Sequence, residues 1–283
     1  MTNSSDRCKL VVVFPAYNKA TSIRESLQCI ADQTFRDFEA IILENQSTDG
    51  TLEEAEAFCE KDSRFRIVRN ETHLAALDTF AKAIRIGSKR GEYFCLRACD
   101  DLSSLDFLEQ LVRALDENPK KLVAACPTRL VGNKIRLKTP NPNTFNFVAN
   151  YCAGRVPRNL NFPAEWLYGV FRASAAELML SRWEEYANPW CQASFIISEF
   201  VIRDLVQYIE GPTFDFVEGS GSIRTYAAHG FSEKLRHRMS YTLGCYRLYK
   251  KLPSVGMSTK LRFLRMCWND SRRKTQFKLL GIL

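Results

Sequence analysis

The sequence predicts an α/β fold in which helices flank a mostly parallel β-sheet. The first observation is the run at residues 9–14, which is rich in valine and has no polar alternation, as in a strand buried on both faces. The second is that such runs alternate with segments of helical period, which implies parallel strands joined by right-handed crossovers. Hydrophobic residues make up 46% of the 283 positions, enough for a packed core.

Four strand-and-helix units are predicted in order along the first part of the chain. The strands are expected at 9–14, 38–43, 65–69 and 93–96, and the helices after them near 22, 51, 75 and 106. Thr21 or Ser22 is the predicted N-cap of the first helix, and Glu25 is placed for a capping box if Ser22 is the cap. The strand-to-helix loops of parallel units meet at one sheet edge, where ligands of open α/β sheets bind.

The pattern loosens beyond about residue 115. Further strands are expected at 122–126 and 214–217, and an apolar helix is expected from Ser198 through Ile209. The segment 134–148 contains two prolines and three asparagines, which predicts a long loop. Long ordered loops often bind ligands or close over them.

The adjacent carboxylates Asp100 and Asp101 follow the fourth predicted strand. Two carboxylates at the carboxyl edge of a sheet are costly unless a cation offsets their charge, so the pair predicts a metal site for a phosphorylated ligand. Such oxygen ligands favour Mg²⁺ or Mn²⁺ over zinc. The alternative is that the pair only starts a turn and caps the next helix, where Asp is also favoured.

Positive charge is concentrated at the C-terminal end of the chain. Residues 233–283 hold 13 Lys and Arg against 2 acids, whereas the first 232 residues hold 27 against 30. Basic residues around aromatic and aliphatic ones suit a helix lying on an anionic membrane surface. The alternative is amphipathic helices packed on the rest of the protein with solvated basic faces.

The cysteines and the N-terminus indicate a cytoplasmic setting. The 10 cysteines form no CxxC pair in a chain too long to need disulfide staples, so we expect reduced, mostly buried thiols. The start lacks the apolar segment of a secretory signal, and no uncharged apolar run approaches the roughly 20 residues of a membrane span. We expect a protein that is soluble or peripherally bound to the cytoplasmic face of a membrane.

Four sequence blocks in the first 110 residues resemble family 2 glycosyltransferases. In chain order they are Val11–Asn18, Glu44–Thr51, Gly91–Phe94 and Asp100–Asp101. The resemblance implies a GT-A fold, whose Rossmann-like, mostly parallel sheet is flanked by helices. It also implies inverting transfer of a sugar from a nucleotide diphosphate donor, with Mg²⁺ or Mn²⁺ stabilising the departing phosphate. The family often carries Asp-x-Asp-Asp, and Ala98 stands where the first Asp is expected.

The resemblance implies roles for residues 1–110, the nucleotide-sugar-binding half. Donor contacts are expected from Pro15, Ala16, Tyr17, Asn18, Glu44, Asn45, His73 and Asp100. Glu44 stands where the family usually carries an Asp that contacts the nucleobase. Asp49 matches the turn that closes the second loop, and we expect it first of all to cap a helix. Asp100 and Asp101 are the expected metal ligands.

Residues 111–232, the acceptor-binding half of the same GT-A domain, resemble the family more weakly. Trp166, Tyr168 and Gly169 match the family's acceptor loop, and the alternative is that these aromatics are core residues. Glu199 matches the base that deprotonates the acceptor hydroxyl, with Asp204 as the fallback. An ordinary helix charge is the alternative for Glu199.

Two further residues of that half match the family's closing segment. The resemblance implies that His229 completes the metal site, as imidazole often does. Arg224 is expected to neutralise the charge of the diphosphate. Residues 233–283 are expected to form a C-terminal basic, amphipathic helical extension.

Three functions follow from these features. The leading one is a metal-dependent inverting glycosyltransferase that acts on a glycan or lipid-linked acceptor in polysaccharide or cell-surface glycan synthesis. The second, suggested by Ala98, is a non-catalytic relative that binds a sugar nucleotide or a partner. The third, nucleic-acid binding through the basic extension, is the least favoured. Nucleotidyl transfer is disfavoured because the loop after the first strand contains no glycine.

Overall fold

The computed structural model describes residues 7–186, 188, 191–219 and 230–275. These residues fall into two compact units that interleave along the chain. The first unit comprises residues 1–138, 168–180 and 207–220, and the second comprises 139–167, 181–206 and 221–283. The predicted segments 1–110, 111–232 and 233–283 were sequential, whereas the chain passes between the units several times. As a division of function, those segments stay a prediction.

The strands form one seven-stranded and one four-stranded sheet. In chain order they are β1 Cys8–Ala16, β2 Phe38–Glu44, β3 Phe65–Arg69, β4 Gly91–Leu96, β5 Leu102–Ser103, β6 Val123–Ala125, β7 Thr128–Val131, β8 Arg136–Lys138, β9 Val170–Arg172, β10 Val206–Tyr208 and β11 Phe214–Val217. The α-helices of the described residues are α1 Ile23–Ala31, α2 Thr51–Cys59, α3 Ala76–Arg90, α4 Phe107–Glu117, α5 Phe147–Cys152, α6 Ala176–Glu185, α7 Gln192–Ile202, α8 Phe231–Tyr246 and α9 Met257–Lys274.

The larger sheet has the order β10-β6-β9-β4-β1-β2-β3. The pairs β4–β1, β1–β2 and β2–β3 are parallel, and β9 runs antiparallel to β4 and β6. The valines of β1 are fully buried because helices cover both faces of the sheet. Gly87 of α3 permits this close packing, since a Cβ there would lie 2.8 Å from Cβ of Phe94. The predicted parallel α/β arrangement is therefore confirmed.

The four-stranded sheet has the order β5-β11-β7-β8. Strand β5 follows Asp101 directly and pairs with β11, so the carboxylate pair lies between strand β4 and the second sheet. The segment 134–148 is not a continuous loop as predicted. It contains β8 and the start of α5, because the backbone of β8 pairs with β7.

The basic extension is part of the fold of the second unit. Helices α8 and α9 pack together and bury Tyr241, Cys245, Phe263, Met266 and Cys267. This packing agrees with the alternative of helices whose basic faces are solvated. Within the ranges that the structure describes, no helix is long and apolar enough to cross a bilayer.

The helix predicted from Ser198 through Ile209 is wrong at both ends. Helix α7 begins at Gln192 and ends at Ile202, and β10 follows at Val206. The chain turns at Asp204, whose φ of 55° is left-handed. That conformation is incompatible with a continuing right-handed helix.

Candidate active site

The loops after β1 and β2 are joined into one rim at the carboxyl edge of the larger sheet. Asn18 adopts a left-handed φ of 50° and donates its backbone N–H to Oγ of Ser47 at 3.1 Å. Its side-chain Oδ1 accepts from the backbone N–H of Thr48 at 2.9 Å. Lys19 donates its backbone N–H to Oγ1 of Thr51 at 2.7 Å. These bonds fix the first loop against the second.

Asp49 stabilises the start of α2, as predicted. Its carboxylate accepts from the backbone N–H of Thr51 and from that of Ala20, both at 3.1 Å. Desolvation opposes ionisation, but the hydrogen bonds from Thr51 and Ala20 outweigh it and lower the pKa of Asp49. Asp49 therefore links the two loops and supports the helix.

An exposed pair of rings lies on this rim. The rings of Tyr17 and His73 lie 4.4 Å apart, and 44% of Tyr17 is exposed. Nδ1 of His73 lies 3.0 Å from the backbone oxygen of Asn45. The side chain of Asn45 is buried and holds the third loop, since its Oδ1 accepts from the N–H of Leu74 at 2.9 Å. The two ring planes are inclined at 49° to each other, and each ring is an exposed aromatic surface on which a nucleobase can stack.

Glu44 faces inward rather than toward the rim. Its carboxylate is fully buried, with Oε1 accepting from the N–H of Ser47 at 2.5 Å and Oε2 pairing with Nε of Arg69 at 3.1 Å. The contacts of Glu44 thus organise the turn after β2. Its contact with a nucleobase stays a prediction, and so do those of Pro15, half-buried, and Ala16, fully buried at the end of β1.

Asp100 and Asp101 do not cap a helix, contrary to the alternative considered for them. They form the turn between β4 and β5, and Asp106 is the residue at the N-cap of α4. Ser26 of α1 holds this turn by donating its hydroxyl to the backbone oxygens of Ala98 and Asp101, at 3.0 and 2.9 Å. The pair is thus set at the edge where the loops converge.

The two carboxylates have different surroundings. Asp101 is 1% exposed, and its Oδ1 accepts from the N–H of Val217 at 3.0 Å. Its Oδ2 is buried and has no hydrogen-bond partner among the described residues. Burial raises the pKa of Asp101 to about 7, and the hydrogen bond from Val217 only partly offsets this. Asp100 is half-buried and pairs with Nζ of Lys19 at 2.5 Å.

Sequence reasoning missed Lys19 and Arg97 at this site. Arg97 is fully buried, donates Nη2 to the backbone oxygen of Asp101 at 3.2 Å, and lies 5.0 Å from the ring centre of Phe214. The signals available were that Lys19 directly follows the first block and that Arg97 closely precedes the carboxylate pair. Their convergence on the acids depends on the tertiary fold.

The carboxylate oxygens of Asp100 and Asp101 are suitable ligands for a divalent cation. Oδ2 of Asp101 is a buried carboxyl oxygen without a hydrogen-bond partner among the described residues, and its ionisation is costly unless a cation approaches it. No cluster of three or more His, Cys, Asp or Glu suited to a metal occurs among the described residues. Mg²⁺, however, is usually held by one or two carboxylates together with substrate phosphates and water. Asp100 and Asp101 meet that requirement.

Glu199, the predicted base, is the centre of a buried charge cluster in the second unit. Its side chain has 0% exposure, and Oε1 accepts from Arg203 at 2.9 Å and from Lys251 at 2.8 Å. Its Oε2 lies 3.5 Å from Nε of Arg182, which is itself buried. Glu199 lies in the second half of α7, not at the helix start that was predicted. Its contacts are those of a structural residue.

The fallback base, Asp204, is also engaged in structure. Its two oxygens accept from the backbone N–H groups of Phe147 and Val148, at 2.7 and 2.9 Å, at the start of α5. These bonds satisfy amides that the helix itself leaves free.

The aromatics of the predicted acceptor loop are core residues for the most part. Trp166 is 2% exposed and stacks between Phe145 and Phe162 in the second unit. It is not available as a stacking surface for a sugar, since apolar rings cover it. Tyr168, in the first unit, is half-buried against Phe214, and Gly169 is buried. Arg224 and His229 lie outside the described residues.

Comparison with known proteins places these features in a family. Residues 11–164, more than half of the chain, match the family model described as glycosyl transferase family 2. An uncharacterized glycosyltransferase of Haemophilus influenzae is 32% identical over 114 residues, 40% of this chain and 35% of that protein. Glycosyltransferase GlyG of Streptococcus pneumoniae is 30% identical over 112 residues, 40% of this chain and 36% of that protein. The matched region is thus about a third of these curated relatives.

Solved structures of glycosyltransferases share the fold. S. aureus TarS 1–349 in complex with UDP-GlcNAc has a TM-score of 0.64 at 15% identity, covering 90% of this chain and 70% of that one. The mannosyltransferase PcManGT from Pyrobaculum calidifontis, in complex with GDP-Man and Mn²⁺, has a TM-score of 0.55 at 15% identity, covering 95% and 72%. These similarities confirm the predicted fold class.

Proposed function

Since the chain belongs to glycosyl transferase family 2, we propose that it transfers a sugar from a nucleotide diphosphate donor bound at the rim formed by its strand-to-helix loops. The observation that carries this proposal is the carboxylate pair after β4. Asp101 presents a buried oxygen without a partner among the described residues, and Asp100 lies beside it at the edge that the loops share. One or two carboxylates at a ligand-binding edge, with an oxygen left without a partner, suit a divalent cation that also binds a diphosphate.

The donor's parts correspond to different parts of the rim. The exposed rings of Tyr17 and His73 would stack on the nucleobase, while Asn18 and the loop amides would contact the ribose. Asp100 and Asp101 would hold Mg²⁺ or Mn²⁺ against the diphosphate. When bound, that cation acts as a Lewis acid on the departing phosphate. Arg224 and His229 stay proposed ligands of the diphosphate and the metal.

We propose the class of the sugar donor, which is a nucleoside diphosphate sugar. The solved relatives bind UDP-GlcNAc in one case and GDP-Man with Mn²⁺ in another. Glu44 organises the second loop by its contacts with Ser47 and Arg69, so it would act on base choice through the shape of that loop. We therefore propose that the exposed Tyr17 and His73 contact the base more directly than Glu44 does.

The acceptor is proposed as a glycan or a lipid-linked glycan, and the reaction as an inverting displacement. A base for such a reaction must lie within hydrogen-bond reach of the acceptor hydroxyl. Glu199 is retained as the family-based candidate, although its buried contacts with Arg203 and Lys251 favour a structural role. Urea denaturation of Glu199→Gln separates the two roles, since a structural residue is expected to lower stability when it is changed.

We also propose peripheral contact with an anionic membrane through α9. Met257, Leu261 and Trp268 are exposed apolar side chains on this helix, and Arg262 and Arg265 are exposed beside them. Apolar and basic side chains on one exposed helix suit an anionic lipid surface. Binding to vesicles that contain phosphatidylglycerol but not to neutral vesicles is expected, with loss of binding in the double variant Leu261→Ser, Trp268→Ser.

The donor site is tested by calorimetric titration with UDP, GDP and their sugar derivatives, first with Mn²⁺ and then with chelator. We expect selective, metal-dependent binding by the wild type and its loss in Asp100→Asn. Asp78→Asn, which changes an exposed acid at the start of α3, is the matched control and should bind normally. Absence of binding by the wild type across the panel would contradict the proposal, and binding without turnover would favour the non-catalytic alternative.

A further inference from the structure

The ammonium group of Lys19 lies at one of the carboxylates proposed to bind the metal. Nζ of Lys19 lies 2.5 Å from Oδ2 of Asp100, and the two side chains are 30% and 14% exposed. This is a close, partly buried ion pair, not one between two fully solvated groups. It involves one of the two carboxylates assigned to the cation, so Lys19 and a metal ion require the same oxygen.

The position of Lys19 is set by its backbone. Its N–H donates to Oγ1 of Thr51 at 2.7 Å, and its carbonyl oxygen accepts from the N–H groups of Ser22 and Ile23 at 3.1 and 2.9 Å. These contacts tie the residue to both α2 and α1. The side chain of Lys19 therefore extends from a backbone held by hydrogen bonds. Its approach to Asp100 follows from the fold of the two loops.

Two cations lie near the carboxylate pair, but neither forms a hydrogen bond with Oδ2 of Asp101. Asp100 and Asp101 supply two carboxylates, and Lys19 and Arg97 supply two cations. Nε and Nη1 of Arg97 are buried and have no hydrogen-bond partner in the part of the chain that the structure describes. A divalent ion entering this cluster meets the positive charges of Lys19 and Arg97, which lower the affinity of the site for the ion until other anions arrive.

From this geometry we propose that Lys19 is an exchangeable cation of the donor site. It holds Asp100 while the site is empty, and it moves to the diphosphate oxygens when the metal takes its place at Asp100. A lysine suits this exchange because its charge sits at the end of a flexible four-carbon stem. The inference rests on the proposed function, since it assumes that a metal-bound diphosphate enters this site.

The exchange makes metal and nucleotide binding cooperative. A metal alone must displace Lys19 and leave the ammonium without an anion, whereas a metal that arrives with a diphosphate supplies that anion. Each ligand then raises the affinity of the site for the other by the same factor, as linkage requires. Lys19 would thus favour binding of the metal–nucleotide complex over the free metal.

The test measures Mn²⁺ binding directly, by the electron paramagnetic resonance signal of free Mn²⁺, in the absence of nucleotide. Lys19→Met keeps the stem and the backbone contacts and removes the charge. We expect it to bind Mn²⁺ about tenfold more tightly than the wild type. Lys19→Arg keeps a cation and should stay close to the wild type, and Lys89→Met, at an exposed lysine of α3, is the control for net charge.

A second measurement follows the nucleotide. In chelator, Lys19→Met should bind UDP or GDP about tenfold more weakly than the wild type, while binding of the free nucleosides is unchanged. The cooperativity between Mn²⁺ and the diphosphate should fall in the same variant. Unchanged or weaker Mn²⁺ binding by Lys19→Met overturns the proposal, because the ammonium then does not compete for Asp100.

The two proposals fail in different ways. If the wild type binds diphosphates with Mn²⁺ and Asp100→Asn abolishes this, the donor site stands whatever Lys19→Met does. Equal Mn²⁺ affinity of the wild type and Lys19→Met then overturns only the exchange. A wild-type protein that binds neither Mn²⁺ nor any diphosphate overturns both.

Discussion

Two buried carboxylates, Asp101 in the first unit and Glu199 in the second, are compensated in opposite ways. Glu199 has three basic side chains around it, at 2.8, 2.9 and 3.5 Å, and its Oε2, which forms no hydrogen bond among the described residues, still lies in the ion pair with Arg182. Asp101 has a single backbone hydrogen bond and an oxygen with no partner in the described part of the chain. A buried charge that neighbouring charges neutralise serves the fold, whereas a buried charge left incomplete at a ligand-binding edge is suited to a ligand.

The largest expected effect comes from breaking the compensated cluster. Glu199→Gln removes the carboxylate that Arg203 and Lys251 share and leaves Arg182 with Glu185 as its acidic partner, which should lower the free energy of unfolding by about 2–3 kcal/mol. Urea denaturation measures this, with Glu177→Gln, at an exposed acid of α6, as the control. A folded Glu199→Gln protein of normal stability that has lost only transfer would instead support the role of general base.

A change at Asp101 should have the reverse pattern: little effect on stability and a large effect on ligand binding. Asp101→Asn keeps the shape of the side chain and the hydrogen bond from Val217, so the free energy of unfolding should change by less than about 1 kcal/mol. Metal-dependent nucleotide binding should weaken by at least about tenfold, because a neutral amide replaces an anionic ligand. Calorimetry and urea denaturation of the same preparation give both values. If Asp101→Asn greatly lowered stability and left binding intact, Asp101 would be a structural residue, contrary to this comparison with Glu199.

A third buried acid, Asp270 in α9, is expected to give the smallest effect. Burial raises its pKa, and Lys274 and Arg273 only partly offset this. A raised pKa means that the folded protein holds the proton more tightly than the unfolded chain, so this contribution to stability is present at low pH and is lost as pH rises through the raised value. Asp270→Asn should therefore flatten the decline of stability with pH in urea denaturation. An unchanged slope would show that Asp270 is compensated as Glu199 is.

Local patterns were sufficient for the first half of the fold. The apolar runs at β1, β2 and β4 are buried on both faces, so their composition alone distinguishes them from surface strands. The same patterns failed near Asp204, where a turn that depends on contacts with α5 ends a sequence of apolar, helix-compatible residues. The capping box expected at Ser22 is also not formed, since its side chain makes no cap hydrogen bond.

The sequence by itself determined the parallel α/β fold, the edge at which the loops converge, and the carboxylate pair, because strand period, polarity and turn residues are local properties. Only the tertiary structure decided which charges are compensated. Lys19 reaches Asp100 across 81 positions of the chain, and Lys251 reaches Glu199 across 52. Burial and charge pairing depend on which segments pack together, and a linear pattern does not contain that information.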